Sequence, residues 1–541
     1  MDEYITTRRG EQYELSDLVN FHLHSARAHS ESVRSSRSRA SAFGDARLGK
    51  SYSAIISGMV ANKSCSVPQL SGSDAALSRR AYRFVHHDQV GPSELMAHST
   101  RINVSDWAGE ELLLVLEDIT QLNLSLHRSP ARESWKQTMG GLSDGTVGIH
   151  LLAGLMMGAQ SGLIHGLFNL AILERLNGAG NSAQREKLTT VRLSYLPFEQ
   201  RPARIWHEGV VDTLRGLDVQ ARRRLCFVAD REAQGYEVLR MFQHESGESH
   251  FLVRCRSGSR RVRQVDQAGR LSTKVMCFKQ VLESIDWIGQ AEIKLPKRDF
   301  RTKSGKRRRQ RERTACLHIR SARVRLERPR RIHARVPDLD RTLTLIEVRE
   351  LNHQLVSEYA DEKPLHGYLP TTPLVEGIGE QRLQNLWRIV GYYLKRWNIE
   401  QFFRLLKKEG LRVETSQLRT PEAVKKMVIL AAKAAEQAMQ LVQAFQEQGP
   451  QLTPVQTLFD AEDERTLDLM DRELAARGKS ATNHNPHPVG SLKRAAWTIA
   501  RHGGWLGYEK SAKPRPATML RGLEKMRYLR RFVEHLDPDD S

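Results

Sequence analysis

Cysteine is scarce in this chain, which has five cysteines among 541 residues and no C-x-x-C pair. This scarcity excludes a disulfide-rich secreted scaffold and a thiolate zinc site, and a reducing cytoplasm is the expected environment. Long apolar runs are also missing, because no stretch reaches the roughly 18 residues of a membrane span. The most apolar segment, Leu151–Leu173, is interrupted by glycines and predicts two buried strands instead. The first residues lack the pattern of a signal peptide.

Acidic residues are outnumbered, with 63 Asp and Glu against 84 Lys and Arg. The net charge is +21 and the isoelectric point is about 9.9. Such a balance predicts a polyanionic partner, and nucleic acid is the first candidate. The affinity for such a partner should fall as salt rises, because each neutralised phosphate releases counterions. The length is sufficient for two to four domains.

Four residues with a defined spacing carry the clearest chemical signal: Tyr393, Arg396, Glu400 and Lys407, in the pattern Y-x2-R-x3-E-x6-K. On an α-helix that turns about 100° per residue, these side chains fall within an arc of about 60°. One helix face would then carry a carboxylate for a divalent cation and three groups that bind phosphate oxygens. The alternative is an ordinary solvated charged face.

Two aspartates follow short apolar runs that predict buried strands. Asp118 ends the run Leu112–Glu117, and Asp230 follows Leu225–Ala229. Magnesium sites for phosphoryl transfer combine two or three carboxylates, and strand ends hold such groups rigidly. A single aspartate at a strand end is more often a turn or capping residue. Neither run is followed by a Walker loop or a dinucleotide-binding glycine pattern.

Six segments of the chain, taken in sequence order, resemble a known family. They are Phe43–Leu48, Ala81–Val85, Glu117–Thr120, Asp230–Ala233, Gly391–Lys407 and Ala496–Gly504. Over roughly residues 40–535 the chain resembles the insertion-sequence-four family of DDE transposases. The resemblance implies an α/β fold: an RNase H-like catalytic core interrupted by a mainly β insertion, with a helical N-terminal DNA-binding domain and a helical C-terminal domain.

The expected organisation has four parts. Residues 1–40 are polar and predict a disordered extension, and residues 41–105 form the N-terminal helical DNA-binding domain. The catalytic domain covers 106–420, with the β-rich insertion at about 255–372. Residues 421–541 form a helical domain for dimerisation and synapsis, whose first helix begins after Thr420 and continues to about Gln448.

The resemblance also implies roles for particular residues. Asp118, Asp230 and Glu400 would be catalytic and bind two Mg²⁺ ions, with Mn²⁺ as a substitute. The expected DNA contacts are Tyr393, Arg396, Lys407, Arg254, Arg256, Arg47, Lys50, Arg83, Lys306, Arg307 and Arg308. Arg83 could instead pack through its stem, and the basic run Lys303–Arg313 could be a solvated loop. Relatives stack a flipped base on a Trp where this chain has Gly367, so the neighbouring Tyr368 is the candidate for stacking.

The implied function is that of a bacterial insertion-sequence transposase. Such an enzyme binds the inverted-repeat ends of double-stranded DNA, cuts them through hairpin ends and joins them to target DNA. It works as a homodimer in the synaptic complex, in the bacterial cytoplasm at the nucleoid. Two alternatives stay open: a domesticated, catalytically inactive DNA-binding protein, and an RNase H-like nuclease.

Overall fold

A computed structural model gives the fold. It describes residues 4–6, 12–14, 43, 45–100, 107, 109–127, 135, 142, 146–173, 198, 201, 203–244, 249–295, 298–301, 307–310, 312–330, 332, 338–353, 364–372, 375, 377–447, 452–508 and 513–536. The chain divides into two compact units. The first comprises Met1–Val33, Glu111–Glu117 and Lys187–Arg396; the second comprises Arg34–Glu110, Asp118–Glu186 and Trp397–Ser541.

The strands are β1 (Tyr4–Thr6), β2 (Gln12–Glu14), β3 (Leu113–Asn123), β4 (Gly148–Gly158), β5 (Ile164–Leu173), β6 (Leu225–Ala229), β7 (His250–Val253), β8 (Arg261–Val265), β9 (Leu271–Cys277), β10 (Gly289–Leu295), β11 (Arg298–Arg301), β12 (Arg307–Gln310), β13 (Arg313–Leu326), β14 (Leu343–Glu350) and β15 (His366–Thr371). The helices are α1 (Ala46–Asn62), α2 (Val67–Ser71), α3 (Ala75–Val85), α4 (Pro92–Ser99), α5 (Arg204–Arg215), α6 (Val219–Arg223), α7 (Tyr236–His244), α8 (Phe278–Glu283), α9 (Gly379–Lys395), α10 (Trp397–Arg404), α11 (Pro421–Gln446), α12 (Ala461–Ala476), α13 (Leu492–His502) and α14 (Pro516–Leu536). Together they make a mixed α/β fold with a large mixed sheet and many helices.

The first unit is built on a mixed sheet. The first residues of β3 pair in parallel with β6, and β6 pairs in parallel with β7. Antiparallel strands continue the sheet in the order β15, β14, β13, β8 and β9, and β10 adds to β13. All five residues of β6 are buried, as is expected of a parallel strand with both faces covered. Strands β8–β15 account for the predicted β-rich character of the region 255–372.

The second unit is mainly helical around α11. Thr420 caps that helix by accepting a hydrogen bond from the Ala423 N–H, and Pro421 occupies its first turn, so the predicted start is confirmed. The helix is apolar on nearly all sides and buried over most of its length, which identifies it as a core helix. The remainder of β3 lies beside β4, and β4 pairs with β5 as the interrupted apolar segment predicted.

Several predicted boundaries differ from the observed ones. Strand β3 does not end at Asp118 but continues to Asn123, because the polar residues that follow still alternate in burial. The helices of residues 41–105 are present as α1–α4. Within residues 1–40 the structure describes the short β1–β2 ladder; the rest of that segment, predicted to be disordered, lies outside the described residues. None of the described helices has the length and apolarity needed to cross a membrane.

Candidate nucleic-acid processing site

Both predicted aspartates follow residues of the parallel pairing between β3 and β6. Glu117 lies opposite Ala229 in the last pair; Asp118 continues β3, and Asp230 is the first residue after β6. Asp230 caps a short 3-10 turn by accepting a hydrogen bond from the Arg231 N–H at 2.6 Å. Asp118 accepts one from the Ile119 N–H at 2.9 Å. Asp230 therefore lies directly after β6 in the first unit, and Asp118 lies within β3 in the second unit.

Tyr393 contacts Asp230, although the two residues are 163 positions apart in the chain. The phenol donates a hydrogen bond to Oδ1 of Asp230 at 3.5 Å. Burial raises the pKa of Tyr393, and the Asp230 charge raises it further, while the charges of Arg396 and Arg254 act in the opposite direction. The phenol is consequently a protonated hydrogen-bond donor at neutral pH.

Arg396 and Arg254 complete a cationic environment around this phenol. Arg396 is buried, and its guanidinium carbon lies 5.9 Å from the centre of the Tyr393 ring. Arg254 directly follows β7, where its N–H bonds the Ala229 carbonyl at 3.1 Å. Its guanidinium interacts with Tyr393 and donates to the His366 carbonyl at 3.5 Å. Two arginines and a phenol therefore surround the Asp230 end of the sheet, which suits a phosphate group.

The Arg254 side chain lies beside Gly367. A Cβ atom at position 367 would lie 3.8 Å from the Arg254 Nε, which is an ordinary van der Waals contact. The resemblance had suggested only that a stacking Trp is missing here. The structure shows that an arginine side chain uses this space.

Tyr368 is poorly placed for the predicted base stacking. Its side chain is 6% exposed, and its ring packs against His366 and Phe278 with centroid distances of 4.7 and 6.1 Å. In an alternating strand, Tyr368 points to the face opposite that of Gly367. A base could stack on this ring only if the ring left its packing, which corrects the expectation based on sequence proximity alone.

The helix that carries the Y-R-E-K residues is not continuous. Helix α9 ends at Lys395, Arg396 interrupts it, and α10 starts at Trp397. After Arg404 the chain forms a π-helical turn over Leu405–Glu409 that contains Lys407. A π-turn advances by fewer degrees per residue than an α-helix, so the single 60° arc predicted for a uniform helix is wrong for Lys407. Glu400 and Lys407 are half-buried in the second unit.

Three predicted DNA contacts lie on the N-terminal helices. Arg47 and Lys50 are exposed on α1, whose N-cap Asp45 accepts a hydrogen bond from the Arg47 N–H at 2.8 Å. Arg83 is exposed on α3. The buried positions of α3 are Leu77, Ala81, Phe84 and Val85. Its outer face also presents Arg79, Arg80 and Tyr82, so this helix offers a basic surface to a polyanion.

The remaining predicted contacts belong to the β-rich region. Arg256 is exposed, and its N–H donates to the Gln234 side chain at 3.1 Å. Strands β11 and β12 pair in antiparallel orientation, and β12 lies within the basic run Lys303–Arg313. Arg307 and Arg308 are on β12, whose side chains lie outside the described residues, as does Lys306.

The donor chemistry of Asp118, Asp230 and Glu400 suits Mg²⁺, which prefers carboxylate oxygen. Within the described parts of the chain, however, no group of three or more His, Cys, Asp or Glu side chains is placed to hold a metal ion. The metal-binding roles of Asp118, Asp230 and Glu400 stay predictions, and the proposal below takes them up.

Sequence reasoning missed the junction of Arg254, His366 and Tyr393. These residues lie in three distant segments, and no local spacing connects them. Arg254 was predicted only as a DNA contact, whereas the structure also places it against the phenol of the Y-R-E-K motif.

Comparison with known families gives an independent indication of function. Residues 30–90 match the family of transposase DNA-binding domains. Helices α1–α3 fall within this range, together with Arg47, Lys50 and Arg83. The match supports a transposase that binds DNA. It covers the predicted DNA-binding segment of the chain.

Proposed function

We propose that this chain is the DNA transposase of a bacterial insertion sequence, an insertion-sequence-four family enzyme with an RNase H-like DDE core. The observation that carries the proposal is the contact between Tyr393 and Asp230. This hydrogen bond connects Tyr393 of the Y-R-E-K motif to Asp230, the aspartate that follows β6. The match of residues 30–90 to transposase DNA-binding domains supports the same conclusion from a separate part of the chain.

In the proposed site, Asp118, Asp230 and Glu400 would hold two Mg²⁺ ions, for which Mn²⁺ could substitute. The bound ions would supply activation of the attacking water or 3′-hydroxyl and stabilisation of the leaving oxygen. The protein contributes three carboxylates whose negative charge attracts the cations. Asp230 directly follows β6, where it caps the next 3-10 turn.

The remaining side chains orient the phosphodiester. Tyr393 keeps its proton at neutral pH and can donate to a non-bridging phosphate oxygen. Arg396 and Arg254 provide charged donors, and the burial of Arg396 limits the number of orientations its guanidinium can adopt. Lys407 adds a further cation. Holding the phosphate in one orientation lowers the entropic cost of an in-line displacement.

The proposed reaction starts with a nick at each inverted-repeat end. A hairpin then forms on that end and is hydrolysed, and strand transfer joins the end to target DNA. A homodimer in the synaptic complex, working in the bacterial cytoplasm at the nucleoid, carries out these steps. The base flipped during hairpin formation is not assigned to Tyr368, whose ring is packed inside the β-rich region.

A cleavage assay tests the proposal. Purified protein is mixed with Mg²⁺ and a labelled duplex from the DNA that flanks its gene, and the products are separated on a denaturing gel. Glu400→Ala should abolish the nick and leave duplex binding intact. Glu380→Ala is the matched control, because Glu380 is an exposed acid in the first turn of α9. Cleavage by Glu400→Ala would show that the site assignment is wrong.

A second candidate is a domesticated DNA-binding protein without catalysis. It is favoured by the family match at the DNA-binding segment and by the absence, among the described residues, of three acids grouped to hold a metal ion. Tight duplex binding by the unaltered protein without any nick would select this function.

A further inference from the structure

We propose that one face of the β-rich region is a second contact surface for the sugar–phosphate backbone of duplex DNA. This arginine face consists of Arg261 and Arg263 on β8 with Arg323 and Arg325 on β13. It is separate from the predicted contacts at Arg254, Arg256 and the β11–β12 hairpin.

Strand alternation places the four arginines on one side of the sheet. Arg325 pairs directly with Arg263, and residues two positions apart on a strand share a face. The intervening Val262, Val324 and Leu326 are buried and point to the opposite face. Helix α8 packs on that opposite side. This part of the sheet therefore has one apolar, covered face and one face lined by arginine.

The charge on this face is only partly compensated within the protein. Directly opposed residues of antiparallel strands have Cβ atoms about 5 Å apart, so the Arg263–Arg325 pair is repulsive in the isolated protein. Glu327 binds the Arg263 Nε at 2.8 Å and neutralises one cation. Arg323 is exposed, and Arg325 is half-buried. A bound anion would offset the remaining positive charge, and phosphate matches the guanidinium geometry.

The arginine face lies on the same side of the sheet as Asp230. Directly paired residues on five neighbouring strands connect the two positions. They are Arg323, Thr344, Thr371, Leu252 and Val228, and Val228 is two residues before Asp230. Four strand spacings and two residues along a strand correspond to about 20 Å. At 3.4 Å per base pair, this is about six base pairs of duplex.

A further cation, the guanidinium of Arg382, also contacts this face of the sheet. Arg382 on α9 donates to the Ser321 hydroxyl at 3.3 Å, and Ser321 is two residues from Arg323 on the same face. We therefore assign the arginine face to the same duplex whose phosphodiester is held at Asp230. The placement relative to the cut rests on the proposed function, whereas the affinity of the face for duplex DNA does not.

The first test measures affinity. Arg323→Glu combined with Arg325→Glu is compared with Arg270→Glu combined with Lys274→Glu, which changes the charge equally. Lys274 neighbours Val275, the partner of Arg263, and so points to the other face, and Arg270 lies in the turn before β9. On a fluorescein-labelled 24-base-pair duplex of arbitrary sequence, the first variant should bind about tenfold more weakly, and its log–log salt slope should fall by about two.

The fold of the test variant should be preserved. A glutamate at position 325 faces Arg263 and replaces a repulsive pair with an attractive one. Thermal unfolding followed by circular dichroism checks this point. Equal affinity and equal salt slopes for the two double variants would overturn the proposal.

The second test locates the contact. A photo-crosslinking benzoylphenylalanine replaces Arg323, and the partner is the flanking-DNA duplex of the cleavage assay. Crosslinks about six base pairs from the nick support a single continuous footprint. Crosslinks confined to a second duplex added in trans, or more than about a helical turn from the nick, would overturn that placement. If the protein makes no nick, the affinity test still decides whether the arginine face binds DNA.

Discussion

Replacing Glu347 with Ala should destabilise the first unit strongly, because it leaves a buried cation without its counter-ion. Glu347 on β14 is 2% exposed. Its Oε2 accepts a hydrogen bond from the Arg320 Nε at 2.6 Å, and its Oε1 lies 2.8 Å from the His366 Nε2. Arg320 is itself buried and lies 4.2 Å above the ring of Trp287. Removal of the carboxylate therefore removes the partner of Arg320 on β13 and of His366 on β15. It also leaves the guanidinium above Trp287 without its counter-ion.

The expected loss is about 3–5 kcal/mol, the usual cost of removing one partner of a buried ion pair. Arg270→Met is the control, because Arg270 and Asp266 form an exposed pair that solvent screens, so its loss should leave the urea midpoint nearly unchanged. Urea unfolding followed by tryptophan fluorescence reports the transition, since Trp287 lies beneath Arg320. With a denaturant dependence of about 1–3 kcal/mol per molar, the midpoint should shift by 1 M or more.

A double variant separates charge from packing. Arg320→Met combined with Glu347→Leu removes both charges and should recover most of the lost stability, because apolar residues of similar volume can replace a buried pair. If Glu347→Ala shifts the midpoint no more than the control does, the ion pair is not important for stability. If the double variant is as unstable as Glu347→Ala, lost packing rather than the unpaired cation is the cause.

Acidification should reduce the difference in stability between Glu347→Ala and the unaltered protein. Burial raises the pKa of Glu347, but the hydrogen bonds from His366 and Arg320 and the Arg320 charge outweigh it, so the folded-state pKa is lowered. The carboxylate therefore contributes fully above its unfolded pKa of about 4.3, and the contribution is lost as the pH falls through the folded pKa. The urea midpoints of Glu347→Ala and of the unaltered protein, measured from pH 7 to pH 3, test this expectation.

Three further changes test the packing and charge of other regions. Gly522→Ala should cost about 1–3 kcal/mol in thermal unfolding, because the added Cβ would overlap the Ile499 carbonyl between α13 and α14; an unchanged melting temperature would contradict this contact. Gly367→Ala should leave duplex cleavage within about twofold, since its Cβ would only touch Arg254, whereas Gly367→Trp should displace Arg254 and reduce cleavage. Burial and the Arg341 charge lower the pKa of His250 to about 4, so stability should fall as the pH drops from about 6.5 towards that value, and His250→Asn should flatten melting temperature against pH in this range.

The amino-acid sequence was sufficient wherever a few neighbouring residues determine the structure. Apolar runs predicted β6 and the first part of β3, because a parallel strand that is buried on both faces consists of nearly continuous apolar residues. Thr420 and Pro421 predicted the start of α11 because capping is local. The excess of basic residues predicted a polyanionic partner, in agreement with the transposase DNA-binding match of residues 30–90. The catalytic roles of Asp118, Asp230 and Glu400 stay predictions.

Only the tertiary structure decided which distant residues meet. The contacts of Arg254 with His366 and Tyr393 depend on the pairing of β7 with β15 and on the position of α9. The burial of Tyr368, the interruption at Arg396 and the arginine face across β8 and β13 likewise escaped sequence reasoning. Local patterns determine whether a segment becomes a strand or a helix, but strand register and burial depend on the whole chain. A shift of one residue in the pairing of β8 with β13 would turn the arginines of one strand to the face opposite those of the other.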